Sequence, residues 1–208
     1  RGGQTRHCTD HRRHRIQDHS RPTARRDHAP HAAFRAQLSK QLGINKASIS
    51  VTIRDLIRQG IVVEKGIKEG VADVGHPSID LMINPDAGRL VGVEAQPDRI
   101  RTVVTDVAPG ILWRSKISIQ FGTPESDYFA ALKDAINQAI EVAEKDGLPV
   151  LGVGLALPGL VDIDNNVLLA AYQLGWKNID LNGLMSDHPS IRFFAGNEAH
   201  ISALGESY

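Results

Sequence analysis

The chain has 208 residues, a hydrophobic content of 41% and a formal net charge of zero at pH 7, values ordinary for one large or two modest globular domains. No apolar run is long enough to span a membrane, and no signal-peptide core follows the N-terminal arginines. Cys8 is the only cysteine, which excludes a disulfide framework or a thiolate metal site within this chain. We therefore expect a cytoplasmic protein without a membrane partner.

The zero net charge hides a division along the chain. Residues 1–75 hold 15 basic and 7 acidic side chains, whereas residues 76–208 hold 9 basic and 17 acidic ones. Only the first part of the chain is therefore suited electrostatically to a polyanion such as DNA.

Residues 1–33 contain eight Arg, six His and one large aliphatic residue, Ile16. A segment of this composition cannot bury a core, so we expect a disordered or anomalous basic segment. Three interpretations stay open: a basic arm that follows DNA, a histidine-rich metal site, or a stretch that is not natural coding sequence.

Residues 36–60 carry the pattern of two helices joined by a short turn. Leu38 and Leu42 lie one helical turn apart, and Gly43 stands where a left-handed residue ends a helix. Asn45 is placed to cap a second helix. The spacing predicts a helix-turn-helix, the arrangement with which many proteins read DNA.

The second helix is predicted to be amphipathic. Its apolar residues recur at 3.6-residue spacing and form one stripe, at Ile49, Ile53, Leu56 and Ile57. The opposite face is small, hydroxylated and basic, which suits a helix in a major groove. The predicted DNA-binding residues are Asn45, Lys46, Ala47, Ser48, Ser50, Val51 and Arg54. A helical hairpin that does not bind DNA would show much of the same pattern.

Residues 61–75 favour a two-stranded wing. Ile61–Val63 is a β-branched run, residues 65–70 form a charged turn with two glycines, and a second extended stretch leads to Gly75-His76-Pro77. Together with the helices this predicts a winged helix-turn-helix domain over residues 34–75.

Residues 76–208 have the texture of an α/β domain. An alternating segment at 79–83 precedes the turn at Asn84–Gly88, and three predicted strands follow as a β-meander, at Leu90–Val93, Ile100–Val107 and Ile111–Ile119. Thr123-Pro124 then opens a long helix whose apolar stripe is Phe129, Leu132, Ile136, Ile140 and Ala143. The nearly continuous apolar run Val150–Leu157 predicts a central strand covered on both faces.

Several segments from Arg35 onwards resemble the ROK family, which groups sugar-responsive bacterial repressors with sugar kinases. The resembling motifs are Leu42–Ser50, Gly75-His76-Pro77, Asn84–Gly88, Gly152–Asp162, Leu174-Gly175-Trp176 and Asn197–Glu206. The resemblance implies a winged helix-turn-helix followed by the first lobe of an actin-like, ribonuclease-H-like ROK domain. It also implies a DNA-binding transcriptional regulator that responds to a sugar or sugar phosphate.

The departures from the family pattern separate regulator from kinase. ROK kinases resemble hexokinase in having Asp-x-Gly-Gly-Thr after the first strand, where glycine backbone approaches ATP phosphates. This chain has Glu94-Ala95-Gln96-Pro97-Asp98 there, with no glycine and with a proline that lacks an N–H donor. Glu198 stands where the kinases have a shorter Asp. We therefore predict that the chain is not an enzyme, with a divergent ROK sugar kinase as the alternative.

The resemblance places the effector at Asn197 and Glu198, whose side chains offer donors and acceptors to sugar hydroxyls. Asn197 is also placed to cap the helix that follows, and the two roles are compatible. In the family a second lobe with a zinc site and most dimer contacts follows this point. We therefore expect a fragment, with no cofactor or metal site in this chain, with zinc only in the second lobe, and with homo-oligomers formed by the full-length protein.

Overall fold

The structure is a computed structural model that describes residues 35–65 and 80–206. The segment 1–33, the predicted wing turn at 65–70 beyond Lys65, and Gly75-His76-Pro77 lie outside the described residues.

Two helices form the start of the described chain. Helix α1 spans Arg35–Leu42 and helix α2 spans Lys46–Arg58, so both predicted helices are confirmed. Gly43 has a φ of +65° where α1 ends. The Asn45 side chain accepts a 2.8 Å hydrogen bond from the Ser48 N–H and satisfies one of the free donors at the start of α2.

A strand pair completes this N-terminal unit. Strand β1, Val62–Lys65, pairs antiparallel with strand β2, Asp80–Ile83, in the register Val62 opposite Ile83. Residues 79–83 were predicted to open the second domain, but in the structure β2 pairs with β1. The small core of the unit consists of Ile49, Ile53, Val62 and Leu81.

A five-stranded sheet dominates the rest of the described chain. Its strands are β3 Arg89–Gln96, β4 Arg99–Asp106, β5 Ile111–Ser118, β6 Val150–Leu157 and β10 Phe193–Asn197. They lie in the order β10-β6-β3-β4-β5. The antiparallel neighbours β3, β4 and β5 confirm the predicted meander. Strands β6 and β10 run parallel to β3, so these three strands end at one edge of the sheet.

The described chain also contains a smaller antiparallel sheet and two short 3₁₀ helices. Strands β7, β8 and β9 span Leu160–Asp162, Val167–Ala171 and Trp176–Asp180. The 3₁₀ helices lie at Pro85–Ala87 and Asn182–Met185, and the last helix, α4, spans Glu198–Glu206.

Helix α3, Glu125–Ala143, covers one face of the large sheet. Its buried residues are Tyr128, Leu132, Ala135, Ile136, Ala139, Ile140 and Ala143, and they pack in one core with Val91, Val93 and Leu155. The predicted stripe is confirmed except at its first position. Tyr128 is fully buried, whereas Phe129 is only partly buried against this core.

The opposite face of the sheet corrects the prediction that β6 is covered on both sides. Val153, Leu155 and Leu157 are buried, but Gly154 is exposed and Ala156 only half-buried. Leu90 and Phe194 are exposed large hydrophobic residues. The sequence run looked doubly buried because glycine and alanine, not polar residues, fill the alternate positions.

The helices within 35–65 and 80–206 include none that is both long and apolar enough to cross a membrane.

We predict that Ile136→Ala lowers the free energy of unfolding by about 2–5 kcal/mol, because it opens a cavity under a fully buried side chain. Phe121→Ala is the control, since Phe121 is 79% exposed. Urea denaturation of both variants measures the difference, and equal midpoints would contradict the placement of α3.

Candidate functional site

The outward face of α2 is the first candidate site. Lys46, Ala47, Ser48, Val51 and Arg54 are all exposed, while Ile49 and Ile53 point into the small core. Val51 keeps 52% of its surface exposed although it is a large aliphatic residue. The exposed side chains on this face are therefore small, apolar or basic, and the face begins at a capped helix N-terminus.

Two of the predicted DNA-binding residues are engaged within the fold. The Ser50 hydroxyl donates a 2.8 Å hydrogen bond to the Lys46 carbonyl, and Ser50 is half-buried on the flank of α2. The Asn45 side-chain oxygen caps the helix at Ser48. Neither group is presented on the outward face in the way that Ser48 and Arg54 are.

A cleft of about 480 Å³ lies beside this face, lined by Arg35, Ser50, Arg54, Ile57 and Glu64. The Arg35 guanidinium is bonded to the Glu64 carboxylate of β1. Arg35 was not among the predicted residues, because it precedes the helical pattern that identified the others. Its position beside Arg54 adds a second arginine to this side of the unit.

The carboxyl edge of the large sheet is the second candidate site. Strands β3, β6 and β10 end there at Gln96, Leu157 and Asn197. Ligands of α/β sheets commonly bind outside the carboxyl ends of parallel strands. Both predicted effector residues, Asn197 and Glu198, lie at this edge.

Asn197 is held by three hydrogen bonds. Its side-chain oxygen accepts from the N–H groups of Ala199 at 3.0 Å and His200 at 3.2 Å, and its Nδ2 donates to the Gly159 carbonyl at 2.6 Å. Gly159 has a φ of +135°, and a Cβ there would lie 2.3 Å from the Ala170 carbonyl, so only glycine fits this turn. Asn197 thus caps α4 and fixes the turn after β6, which bears out the capping role.

Glu198, the first residue of α4, belongs to a polar network that reaches strands β3 and β4. The Gln96 amide nitrogen donates to a Glu198 oxygen, and it lies 3.4 Å from a Glu94 oxygen. Arg101 donates to the other Glu94 oxygen at 3.1 Å, across the antiparallel pair that β3 forms with β4. The edge therefore presents two carboxylates joined by one amide.

Tyr128 supports this network from beneath. Its hydroxyl donates a 2.7 Å hydrogen bond to the Gln96 carbonyl, and its ring meets Trp176 edge-on with centroids 4.9 Å apart. Burial, together with the nearby negative charge of Asp98, raises the pKa of the Tyr128 hydroxyl well above its usual value. The hydroxyl thus remains a neutral donor that fixes the end of β3.

The connection after Gln96 is a tight hairpin. Gln96 pairs with Arg99, so only Pro97 and Asp98 link β3 to β4. The Asp98 carbonyl accepts a 2.8 Å hydrogen bond from the Ile119 N–H, and Pro97 has no N–H to donate. This turn therefore offers few backbone donors to an anion.

The two sites differ in chemistry. The face of α2 carries cations and small side chains, whereas the sheet edge carries hydrogen-bond acceptors. Gln96 was missed as a site residue because its partner, Glu198, is 102 positions away. Within the described part of the chain, no group of three His, Cys, Asp or Glu side chains is placed to hold a metal ion.

Comparisons with known proteins give a family match. The sequence profile of the ROK family matches residues 90–208. The xylose repressor of Bacillus subtilis is 28% identical over 172 residues, which cover 83% of this chain and 44% of that protein. A glucokinase of Halalkalibacterium halodurans is 26% identical over 77 residues, 37% of this chain and 23% of that protein. The chain therefore spans less than half the length of these relatives.

A solved structure shows the same fold. A ROK family transcriptional regulator, a homologue of the E. coli MLC protein, superposes with a TM-score of 0.65 at 22% identity, over 84% of this chain and 44% of that one. The superposed share is larger than the ROK match, so the likeness extends beyond residues 90–208.

We predict that Asn197→Ala lowers the free energy of unfolding by about 1–3 kcal/mol, since it removes a helix cap and the bond to Gly159. The control is His200→Ala on the same helix, which keeps its backbone N–H and alters an exposed side chain. Urea denaturation compares the two, and an equal loss in both variants would count against the capping role.

Proposed function

This chain belongs to the ROK family, and on that basis we propose that it is a DNA-binding transcriptional regulator whose sheet domain binds a sugar effector. Residues 35–83 act as a winged helix-turn-helix, with α2 as the recognition helix and the β1–β2 pair as the wing. The homo-oligomeric state and the cytoplasmic location expected for a regulator of this class are part of the same proposal.

The exposed face of α2 is the observation that carries the proposal. A recognition helix enters the major groove with its N-terminal residues against base edges. Ser48 and Val51 would meet those edges, because hydroxyls bond to either acceptors or donors and methyl groups pack on thymine. Lys46 and Arg54 would neutralise phosphates. Asn45, Ala47 and Ser50 complete the proposed contact surface, although Ser50 lies at its flank.

The network at the sheet edge supports the sugar effector. The Glu94 and Glu198 carboxylates accept hydrogen bonds from hydroxyls, and the Gln96 amide both donates and accepts. These two carboxylates favour a neutral sugar over a sugar phosphate, whose anion they would repel. Asn197 contributes mainly by holding α4 and the Gly159 turn, so that Glu198 stays at the edge.

We propose that the chain does not transfer phosphoryl groups. Phosphate binding needs backbone N–H groups or cations aimed at the oxygens. The Pro97-Asp98 turn supplies a proline and a carboxylate instead, and Glu198 is already bonded to Gln96. The similarity to a repressor over 83% of this chain agrees with regulation, whereas the glucokinase similarity covers 37%.

We predict that Arg54→Ala weakens binding to duplexes of any sequence and reduces the slope of log affinity against log salt by about one. Ser48→Ala should instead change which sequences a random-duplex selection enriches. Arg114→Ala is the matched control, because it removes the same charge from the exposed surface of β5. Fluorescence anisotropy at several salt concentrations measures the effect, and an equal loss for Arg54→Ala and Arg114→Ala would refute this docking.

We predict that Glu198→Gln weakens binding of the preferred sugar about tenfold or more, since it loses a charged acceptor. Titration calorimetry against D-xylose, D-glucose and N-acetylglucosamine identifies that sugar. Glu206→Gln, at the far end of the same helix, is the control and should bind as the parent does.

The same sugars offered with ATP should release no ADP. Release of ADP that Glu198→Gln abolishes would overturn the regulatory proposal in favour of a kinase.

A further inference from the structure

The turn Asn84–Gly88 carries the chain from the N-terminal unit into the sheet domain. Asn84 is bonded to the unit it leaves: its N–H donates to the Ile61 carbonyl at 2.8 Å, and its side-chain Nδ2 donates to the Gly60 carbonyl at 2.7 Å. Gly60 and Ile61 follow the end of α2. One residue therefore ties the end of the proposed recognition helix to the start of the turn.

Arg89 fastens the other end of the turn. Only 7% of its side chain is exposed, and its guanidinium donates to the Pro85 and Gly88 carbonyls at 3.0 Å each. It also bonds the Asp146 carboxylate, through Nε at 2.9 Å and through Nη2. The planar guanidinium can hold these acceptors in one rigid arrangement.

The surroundings of the turn leave it little freedom. The Arg89 N–H donates to the Pro149 carbonyl at 2.8 Å. A Cβ on Gly88 would lie 2.6 Å from the Leu151 side chain and 2.9 Å from the Pro149 carbonyl. The turn is thus packed against residues 146–151, which form the end of the connection after α3 and the start of β6.

Two elements lead from this junction to the sheet edge. Strand β3 begins at Arg89 and ends at Gln96, which bonds Glu198. Helix α3 holds Tyr128 in its first turn, where Tyr128 bonds the Gln96 carbonyl, and it ends three residues before Asp146. The junction and the proposed effector site therefore share the same strand and the same helix.

We propose that Arg89, with Asp146 as its partner, is a positioning residue. It holds the turn that Asn84 begins and so fixes the orientation of the N-terminal unit on the sheet domain. The orienting role stands on these contacts. The consequence, that the junction determines how α2 is positioned on DNA, rests on the proposed function.

The carboxylate of Asp146 offers the sharpest test. Its side chain is 45% exposed, so its replacement is milder than replacing buried Arg89. Asp187 is a close match: it is 52% exposed and bonds Lys133 of α3 at 3.0 Å. In both residues the hydrogen bond from the cationic partner lowers the pKa of the carboxyl. Asp187 lies outside the junction, which makes Asp187→Ala the control.

Pulsed electron paramagnetic resonance of the free protein measures how widely the distance across the junction varies. In a Cys8→Ser background, spin labels at Thr52→Cys on α2 and Glu141→Cys on α3 report the distance between the two units. A second pair, at Lys116→Cys and Glu141→Cys, reports the sheet domain alone.

We expect a narrow distribution of label-to-label distances for the first pair in the parent, in Asp187→Ala and in the conservative variant Asp146→Glu. Asp146→Ala should broaden it about twofold or more while the second pair stays narrow. An unchanged first pair in Asp146→Ala would overturn the proposal, and so would equal broadening in Asp187→Ala.

Measuring the affinity of the parent and of Asp146→Ala for duplex DNA distinguishes this inference from the proposed function. Absence of DNA binding by the parent would count against the proposed function and leave the orienting role intact. If the parent binds DNA, Asp146→Ala should bind it about fivefold or more weakly. An affinity equal to that of the parent would show that the junction does not serve DNA recognition.

Discussion

Packing of helix α3 against one face of the five-stranded sheet is the constraint on which the described structure depends. Seven buried side chains of this helix meet the inward residues of β3, β4 and β6. The same packing places Tyr128 under Gln96 at one end and leaves Asp146 beside Arg89 at the other. Protein interiors are close-packed, so one continuous core holds both ends of this unit in place.

This arrangement separates two kinds of surface. The N-terminal unit presents cations and small side chains on α2, whereas the sheet edge presents carboxylates held by an amide. Coupling between the two requires that a ligand bind the alternative orientations unequally. The junction at residues 84–89 is where such orientations would differ, because hydrogen bonds there join the end of α2, the turn and the segment after α3.

Sequence periodicity predicted the helices and most strands well, since the stripe of Ile49 and Ile53 and that of Leu132, Ile136 and Ile140 reflect burial directly. Periodicity could not show which strands pair with each other. Alternation identified residues 79–83 as a strand, but the strand that pairs with it, β1, is set by tertiary contacts. The run 150–157 was wrongly predicted to be covered on both faces because Gly154 and Ala156 are apolar without being deeply buried. The Gln96–Glu198 and Arg89–Asp146 bonds join residues 102 and 57 positions apart, a separation at which no local pattern exists.

The proposed binding of DNA by one surface and of a sugar by the other can be tested residue by residue in ¹⁵N-labelled protein. An NMR titration with duplex DNA, followed by one with D-xylose, records which amides each ligand perturbs. We expect DNA to shift the amides of residues 46–54 and the sugar to shift those of residues 94–101 and 197–200. Shifts from DNA concentrated on the sheet edge, with α2 unchanged, would contradict the proposed roles of the two surfaces.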